Sequence, residues 1–340
     1  MRLPRPVALR LAVLLLALPA AALGQGRRFS PAVPLEPADQ LQSPNAECCL
    51  ILLLPVGARA VALGGATVAR TSPDAVFANP AGLAGIAANE LVLHYTASVA
   101  GQTTAVSLLF TPAVVGTLGA SYQLVDHGEI EQTDETGQSV GSLSLRHHVL
   151  VASFGTVVTG GLAAGLNYKL YQFRIGCRGA CRLERRTATT HAVDAGIRYV
   201  PERLPALQLG AAVTSVGFAL QVVNAEQADP LPTRVRLGAA YEVLRHLQPD
   251  STVALWVAVE LADRWRDPGS PQASLGLELA ASEAVFLRAG YTYGDGLETG
   301  GSVGLGLRYA RFTVAIAKSF VPSVLDPEEE PLQLTFGMSF

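Results

Sequence analysis

Six histidines, four cysteines and a cluster of arginines are the side chains here with most chemistry to offer. Hydrolysis by a barrel-type enzyme needs a His beside a carboxylate or Ser on adjacent strands at a rim. Of His94, His127, His147, His148, His191 and His246, only His127 stands among acids, between Asp126 and Glu129. A solvated loop accounts for that grouping without catalysis, so no enzyme is expected. Gly64-Gly65 and the run Gly300–Gly306 lack the Lys-Ser/Thr and the βαβ setting of a phosphate loop. The second run alternates Gly with apolar residues, as a strand does. No nucleotide or other cofactor is expected. Cys177 and Cys181 have no His or third Cys nearby to complete a metal site.

The segment Cys177-Arg-Gly-Ala-Cys181 reads instead as a small disulfide ring suited to an oxidising compartment. Cys48 and Cys49 are neighbours, for which a mutual bond is geometrically difficult, and their pairing stays open. Around the ring lie Arg174, Arg178, Arg182, Arg185 and Arg186. They offer an anion site for lipopolysaccharide phosphates or an acidic partner, through bidentate contacts. A solvated loop neutralised by the acids at 126–135 or 328–330 is the simpler account and is preferred, since exposed ion pairs contribute little.

These side chains must be held by strands. From Glu90 onward, period-two alternation marks fourteen candidates: 91–99, 102–110, 116–125, 142–154, 160–173, 187–199, 207–216, 233–244, 252–262, 272–280, 285–293, 300–310, 312–320 and 332–340. An even count suits a bacterial transmembrane barrel, as does a pattern of long loops at one end and short turns at the other. The expected outer loops are 100–101, 126–141, 174–186, 217–232, 263–271, 294–299 and 321–331, with both chain termini on the periplasmic side. A charge on the lipid face costs roughly 2–4 kcal/mol at the midplane. The apolar register therefore turns Lys169, Asp194, Arg198, Arg236, Glu242, Glu260, Glu278, Arg288 and Arg308 inward, where opposite signs suggest ion pairs across a lumen. Lys318 falls on the lipid side, near enough to its strand end to snorkel.

The ends agree with that architecture. Leu332, Leu334, Phe336, Met338 and Phe340 share one face of the last segment, so Phe340 reads as the aromatic assembly signal of a closing strand. At the other end, Arg2, Arg5 and Arg10 precede the apolar run 11–18 and small residues at 20–22, a secretory signal peptide over 1–24. Its loss leaves a chain more acidic than the formal net charge of −3, with no electrostatic case for nucleic acid. Residues 25–47 are a Pro-rich linker. The composition, 49% hydrophobic and only 16% charged, departs from the roughly 25% charged of ordinary domains. Beyond the leader no stretch is long and apolar enough for a helical span.

Residues 54–70, Leu-Pro-Val-Gly-Ala-Arg-Ala-Val-Ala-Leu-Gly-Gly-Ala-Thr-Val-Ala-Arg, and 74–83, Asp-Ala-Val-Phe-Ala-Asn-Pro-Ala-Gly-Leu, resemble the amino-terminal signature of the PorV/PorQ outer-membrane family. That family is related to the long-chain fatty acid transporter FadL. His127-Gly-Glu-Ile130, Gly165–Lys169 and Leu231–Gly238 resemble further family positions in order. The resemblance implies an all-β protein: a transmembrane antiparallel barrel of about 14 strands over 90–340, with an N-terminal hatch over 48–89 folded into its lumen. Gly57, Arg59, Gly64, Gly65, Asp74, Asn79, Pro80 and Gly82 are then the hatch and gating residues. One short helix is expected at 73–78, with Ser72 as its N-cap and Pro80 ending it.

Two functions follow as expectations. In the first, hydrophobic or amphipathic small molecules pass a hatch-gated lumen. In the second, the barrel is a protein-interaction component of type IX secretion, a cargo shuttle or scaffold. Either places it in the outer membrane of a Gram-negative-type bacterium, with outer-membrane lipid and the barrel-assembly machinery as partners, beside a hydrophobic ligand or secretion cargo.

Overall fold

The computed structural model describes residues 47–340 except 99–100, 113, 135, 181–185, 223–227, 246–251, 295–298 and 322–330. The expected signal peptide and nearly all of the Pro-rich linker lie outside the described residues. Fourteen strands are described: β1 (Glu90–Ser98), β2 (Gly101–Phe110), β3 (Thr117–Thr133), β4 (Ser139–Thr159), β5 (Leu162–Gly179), β6 (Arg186–Tyr199) and β7 (Leu207–Gly217), then β8 (Arg234–Glu242), β9 (Val253–Arg264), β10 (Gln272–Ala281), β11 (Val285–Tyr293), β12 (Gly300–Tyr309), β13 (Phe312–Ser319) and β14 (Leu332–Ser339). Each pairs antiparallel with its sequence neighbours, and β1 pairs with β14 to close the barrel. Closure satisfies the backbone groups that an open edge would leave bare.

Alternation sets which side chains face in. On β14, Leu332, Leu334 and Phe336 are exposed on the outer wall, while Gln333 and Gly337 are buried inside. On β5, Leu166 and Tyr168 point out while Asn167, Lys169 and Tyr171 are buried. An exterior this apolar is stable only against hydrocarbon or a large apolar partner. Phe340 lies one residue past β14, exposed, and its backbone N–H donates to Asn89 O at 2.9 Å, tying the chain end to the start of β1. Replacing Phe340 with Asp puts an unpartnered acid on the outer wall beside the closing seam. A lower yield of heat-modifiable barrel on gels is expected, and an unchanged yield would remove any assembly role for this residue.

Two expected outer loops prove to be mostly ladder. β3 continues to Thr133 and β4 starts at Ser139, while β5 continues to Gly179 and β6 starts at Arg186. Residues 126–141 and 174–186 are polar enough to read as loops, yet strand that projects beyond a bilayer needs no apolar face. A bulge between Asp126 and Glu129, with Gly128 at φ 75°, carries β3 through its polar stretch. β3, β4 and β5 thus have 17, 21 and 18 residues, against the 9–11 that cross a bilayer.

Residues 47–89 fold inside this wall. They form 3-10 turns at Leu50–Leu53, Pro73–Phe77 and Pro80–Gly85, and a single-turn helix α1 (Ala58–Ala62). Only the second of these is foreseen from the sequence, and its N-cap Ser72 makes no side-chain cap hydrogen bond. Asn79 does cap: extended at φ −145°, it accepts the Ala81 N–H on Oδ1 at 3.1 Å and so starts the turn that Pro80 leads. α1 lies against β11–β14, and the Pro80–Gly85 turn against β4–β6. A short segment touches both sides of a closed barrel only from within, and Ala62, Val76, Ala81 and Leu83 are accordingly fully buried.

Candidate functional site in the barrel lumen

The lumen has a charged wall and an apolar wall, and the segment 47–89 is fastened to both. On the charged side Glu278 of β10 gathers three guanidiniums: Arg59 Nε at 3.0 Å and Arg70 Nη2 at 3.0 Å from the segment, and Arg288 Nε at 2.7 Å from β11. Arg70 also stacks over the Trp256 ring, 3.6 Å from its centroid, a geometry worth about 2 kcal/mol or more when desolvated. Glu260 of β9 accepts the backbone N–H groups of Thr67 and Val68 on one oxygen, at 2.9 and 2.8 Å, and Arg236 Nε on the other at 2.6 Å. Such charge-assisted bonds satisfy backbone that no helix or ladder serves.

Neutral groups add to the fastening. Asn79 Nδ2 donates to Val68 O at 2.7 Å within the segment and to Ile197 O of β6 at 3.0 Å. Asn167 donates to Val76 O at 2.8 Å and to Asp194, which also holds Lys169 Nζ at 2.8 Å and the Ser215 N–H at 2.7 Å. Asp74 lies 3.5 Å from His94 Nε2 of β1, and Thr335 Oγ1 of β14 accepts the Ala58 N–H at 2.8 Å.

Glycines in the wall let the segment come this close. A Cβ on Gly155 would lie 2.6 Å from Pro80 O, and one on Gly276 would lie 2.9 Å from Leu63 O. On Gly165, Gly196, Gly210 and Gly290 it would overlap Pro80, Asn79, Val68 and Leu63 outright. Six strands, β4 to β7 with β10 and β11, thus each offer a bare backbone at the height of the segment. The sequence does carry a signal for this, glycine recurring on the inward face of successive strands, though it reads equally as ordinary barrel alternation.

The apolar wall comes from β2, β4, β5 and β6. Leu109, Val149, Val151, Tyr171 and Ala188 meet Val76, Leu83 and Ile86 of the segment, while Ile51, Leu52, Cys48 and Cys49 cover the cluster partly. Each buried aliphatic side chain of this size contributes about 1.5–3 kcal/mol. Cys48 and Cys49 are bonded to each other, which resolves a pairing that adjacency makes difficult. Towards the barrel end opposite Phe340, Tyr171 Oη meets His147 Nδ1 at 2.6 Å, and His147 stacks on Phe173 and takes His127 edge-on at 5.0 Å. The Asp126 carboxylate is engaged by Arg146 at 2.8 Å.

Of the remaining residues singled out in the sequence, Gly57 has φ 98°, and a side chain there would strike His94; Gly64 and Gly65 also take positive φ. Gly82 packs against Arg70 O. Among the described residues three of the predicted lumen charges form no ion pair with the segment. Glu242 pairs with Arg245 at 3.5 Å, Arg198 has a buried Nε without a hydrogen-bond partner, and Arg308 is exposed at the end of β12 near the Phe286 ring. Cys177 is disulfide-bonded, and its expected partner Cys181 lies outside the described residues. Among the described residues no group of His, Cys, Asp and Glu is arranged to hold a metal.

No protein-family model matches the chain, and no curated protein matches it by sequence. Solved structures do match. The toluene transporter TodX of P. putida superposes with a TM-score of 0.59 at 14% identity, over 84% of this chain and 98% of that one. The chain shares its fold. CymD, a monoaromatic hydrocarbon channel, gives 0.59 at 14% identity over 87% and 99%, and a FadL homologue of Pseudomonas aeruginosa gives 0.55 at 10% over 84% and 98%. In this chain the shared fold is a closed, fourteen-stranded antiparallel barrel.

Proposed function

We propose that this protein is an outer-membrane channel for hydrophobic or amphipathic small molecules, with residues 48–89 acting as a hatch in the lumen and Phe340 at the periplasmic end of the barrel. Glu47 and Cys48, held by Arg234 and Pro230, lie at the opposite end, so the expectation that both chain ends share the periplasmic side is not kept. The observation that carries the reading is the lumen's apolar wall. Leu109, Val149, Val151 and Tyr171 form an inward apolar track, and it is covered by a separable segment, not by another strand of the barrel. A channel for sugars or ions has no use for such a wall, whereas an apolar solute gains burial at each step along it. The hydrocarbon channels that share this fold support the same substrate class. On this reading Cys48–Leu52 cover the track at rest, and a solute enters by displacing them.

Flux into proteoliposomes tests the proposal. An apolar aromatic probe is expected to enter vesicles carrying the reconstituted barrel faster than empty vesicles, while a sugar of similar size is not. Equal apolar flux with and without protein would defeat the channel reading. Lipid analysis of the purified protein, run beside a pull-down from outer membranes, separates the PorV-like alternative: recovery of a secreted cargo protein with no co-purified apolar ligand would favour an interaction role.

A further inference from the structure

The outward rows of β3–β6 change character along the barrel. On β4 the row runs Phe154, Ala152, Leu150 and then His148 and Arg146; on β5 it runs Leu166, Tyr168, Leu170 and then Gln172 and Arg174. Two Tyr–His hydrogen bonds mark the change: Tyr122 Oη to His148 Nδ1 at 2.7 Å, and Tyr168 to His191. Rings with a polar tip gather where hydrocarbon gives way to headgroups. Immediately beyond them a concavity of about 410 Å³ opens on the outer wall, lined by Arg146, Arg174, Arg178, His148, Ser144 and Thr187, with Glu129 also on its lining. Gly176 forms its floor, and a Cβ there would run into Ser144 Oγ.

Arg146 and Arg174 stand directly opposite each other in the β4–β5 ladder, on the same face. Like charges in that position are destabilising. Asp126 binds Arg146 at 2.8 Å, and among the described residues no carboxylate forms an ion pair with Arg174. An anion lodged between the two guanidiniums relieves the repulsion, and phosphate suits their planar, bidentate donors.

We propose that this concavity binds the phosphate of a glycolipid headgroup, in the leaflet at the barrel end opposite Phe340, with Arg146, Arg174 and Arg178 as donors. A lipid is the source because the apolar row of Leu150, Leu166 and Tyr168 continues directly from the concavity and is about half exposed, at 50%, 55% and 49%. Headgroup and acyl chains are thereby received on one continuous strip of wall. The site rests on the outer-membrane placement above but not on transport.

The test titrates the heat-modifiable barrel in detergent with diphosphoryl lipid A, its dephosphorylated form and inorganic phosphate, reading occupancy by native mass spectrometry. The diphosphoryl form is expected to bind, and the dephosphorylated form to bind at least about tenfold more weakly, the scale of one charge-assisted hydrogen bond. The double variant Arg174→Gln, Arg178→Gln should lose about tenfold or more in affinity, and Lys318→Gln, elsewhere on the outer wall, should lose none. Gly176→Val fills the floor without removing charge and should give a comparable loss, so the site is tested even where the double variant folds poorly. Equal binding of the dephosphorylated lipid, or unchanged binding by a folded double variant or by Gly176→Val, would overturn the proposal. Displacement of the lipid by inorganic phosphate at comparable concentration would make this a general anion site and overturn the headgroup assignment. Absence of the protein from outer-membrane fractions would instead remove the placement on which the site rests.

Discussion

Replacing Glu278 with Ala is expected to release the hatch, at a cost of about 3–5 kcal/mol, the range for removing one partner of a buried ion pair. The carboxylate is 6% exposed and holds Arg59, Arg70 and Arg288 together. Without it three guanidiniums share a low-dielectric space with only the more distant Asp74 and Glu242 as counter-charges, and two of them belong to the segment. The cheapest relief is for Arg59 and Arg70 to leave the wall, carrying α1 and the following turn with them. Trypsin should then cut at Arg59 or Arg70 in barrels that still shift on heating, and single-channel conductance should rise. Glu278→Gln keeps volume and one acceptor and should fall between the variant and the parent. Removing the charges together, with Arg59→Met, Arg70→Met and Arg288→Met added to Glu278→Leu, should do less harm than Glu278→Ala alone, since well-packed apolar replacements of buried pairs are often neutral. Protease resistance and conductance in Glu278→Ala equal to the parent's would show that the ion cluster does not hold the segment.

Strand order and face were legible in the sequence because a membrane barrel imposes one rule on every strand, apolar out and polar in. That rule applies residue by residue and needs no knowledge of neighbours. What depends on neighbours was not legible. Arg236 and Glu260 share the inward face by alternation, but their meeting depends on the stagger between β8 and β9, where Arg236 pairs with Ala262 and Gly238 with Glu260. Glu278 likewise meets Arg288 by register, whereas its bonds to Arg59 and Arg70 span more than 200 residues and follow from no local pattern. The glycines facing Pro80 and Val68 show only as periodicity until the segment lies against them. The length of β3–β5 was missed for the opposite reason. Beyond the bilayer the outward rule lapses, and a polar ladder such as 126–133 resembles a loop in composition.

Deleting residues 57–83 is expected to leave a closed barrel with markedly higher conductance and faster uptake of an apolar probe. Closure does not need the segment, because all fourteen strands lie outside it and pair only with one another. The lumen does need it. With the segment gone, the bare backbones of Gly165, Gly196, Gly210 and Gly290 border open space, and Glu260 and Asn167 lose the Thr67, Val68 and Val76 groups they bind. Water fills that space at small cost on the charged side, while the exposed track of Val149, Val151 and Tyr171 becomes a path for apolar solutes. Pro80→Ala should move both readings the same way by less, since it frees the turn after Asn79 without removing the Asn79 bonds to Val68 and Ile197. Planar-bilayer recordings decide the outcome. A heat-modifiable deletion mutant with the parent's conductance would mean that the segment does not obstruct the lumen. Raised conductance without apolar uptake would keep the hatch and shift the apolar track from transport to a resting surface for the segment itself.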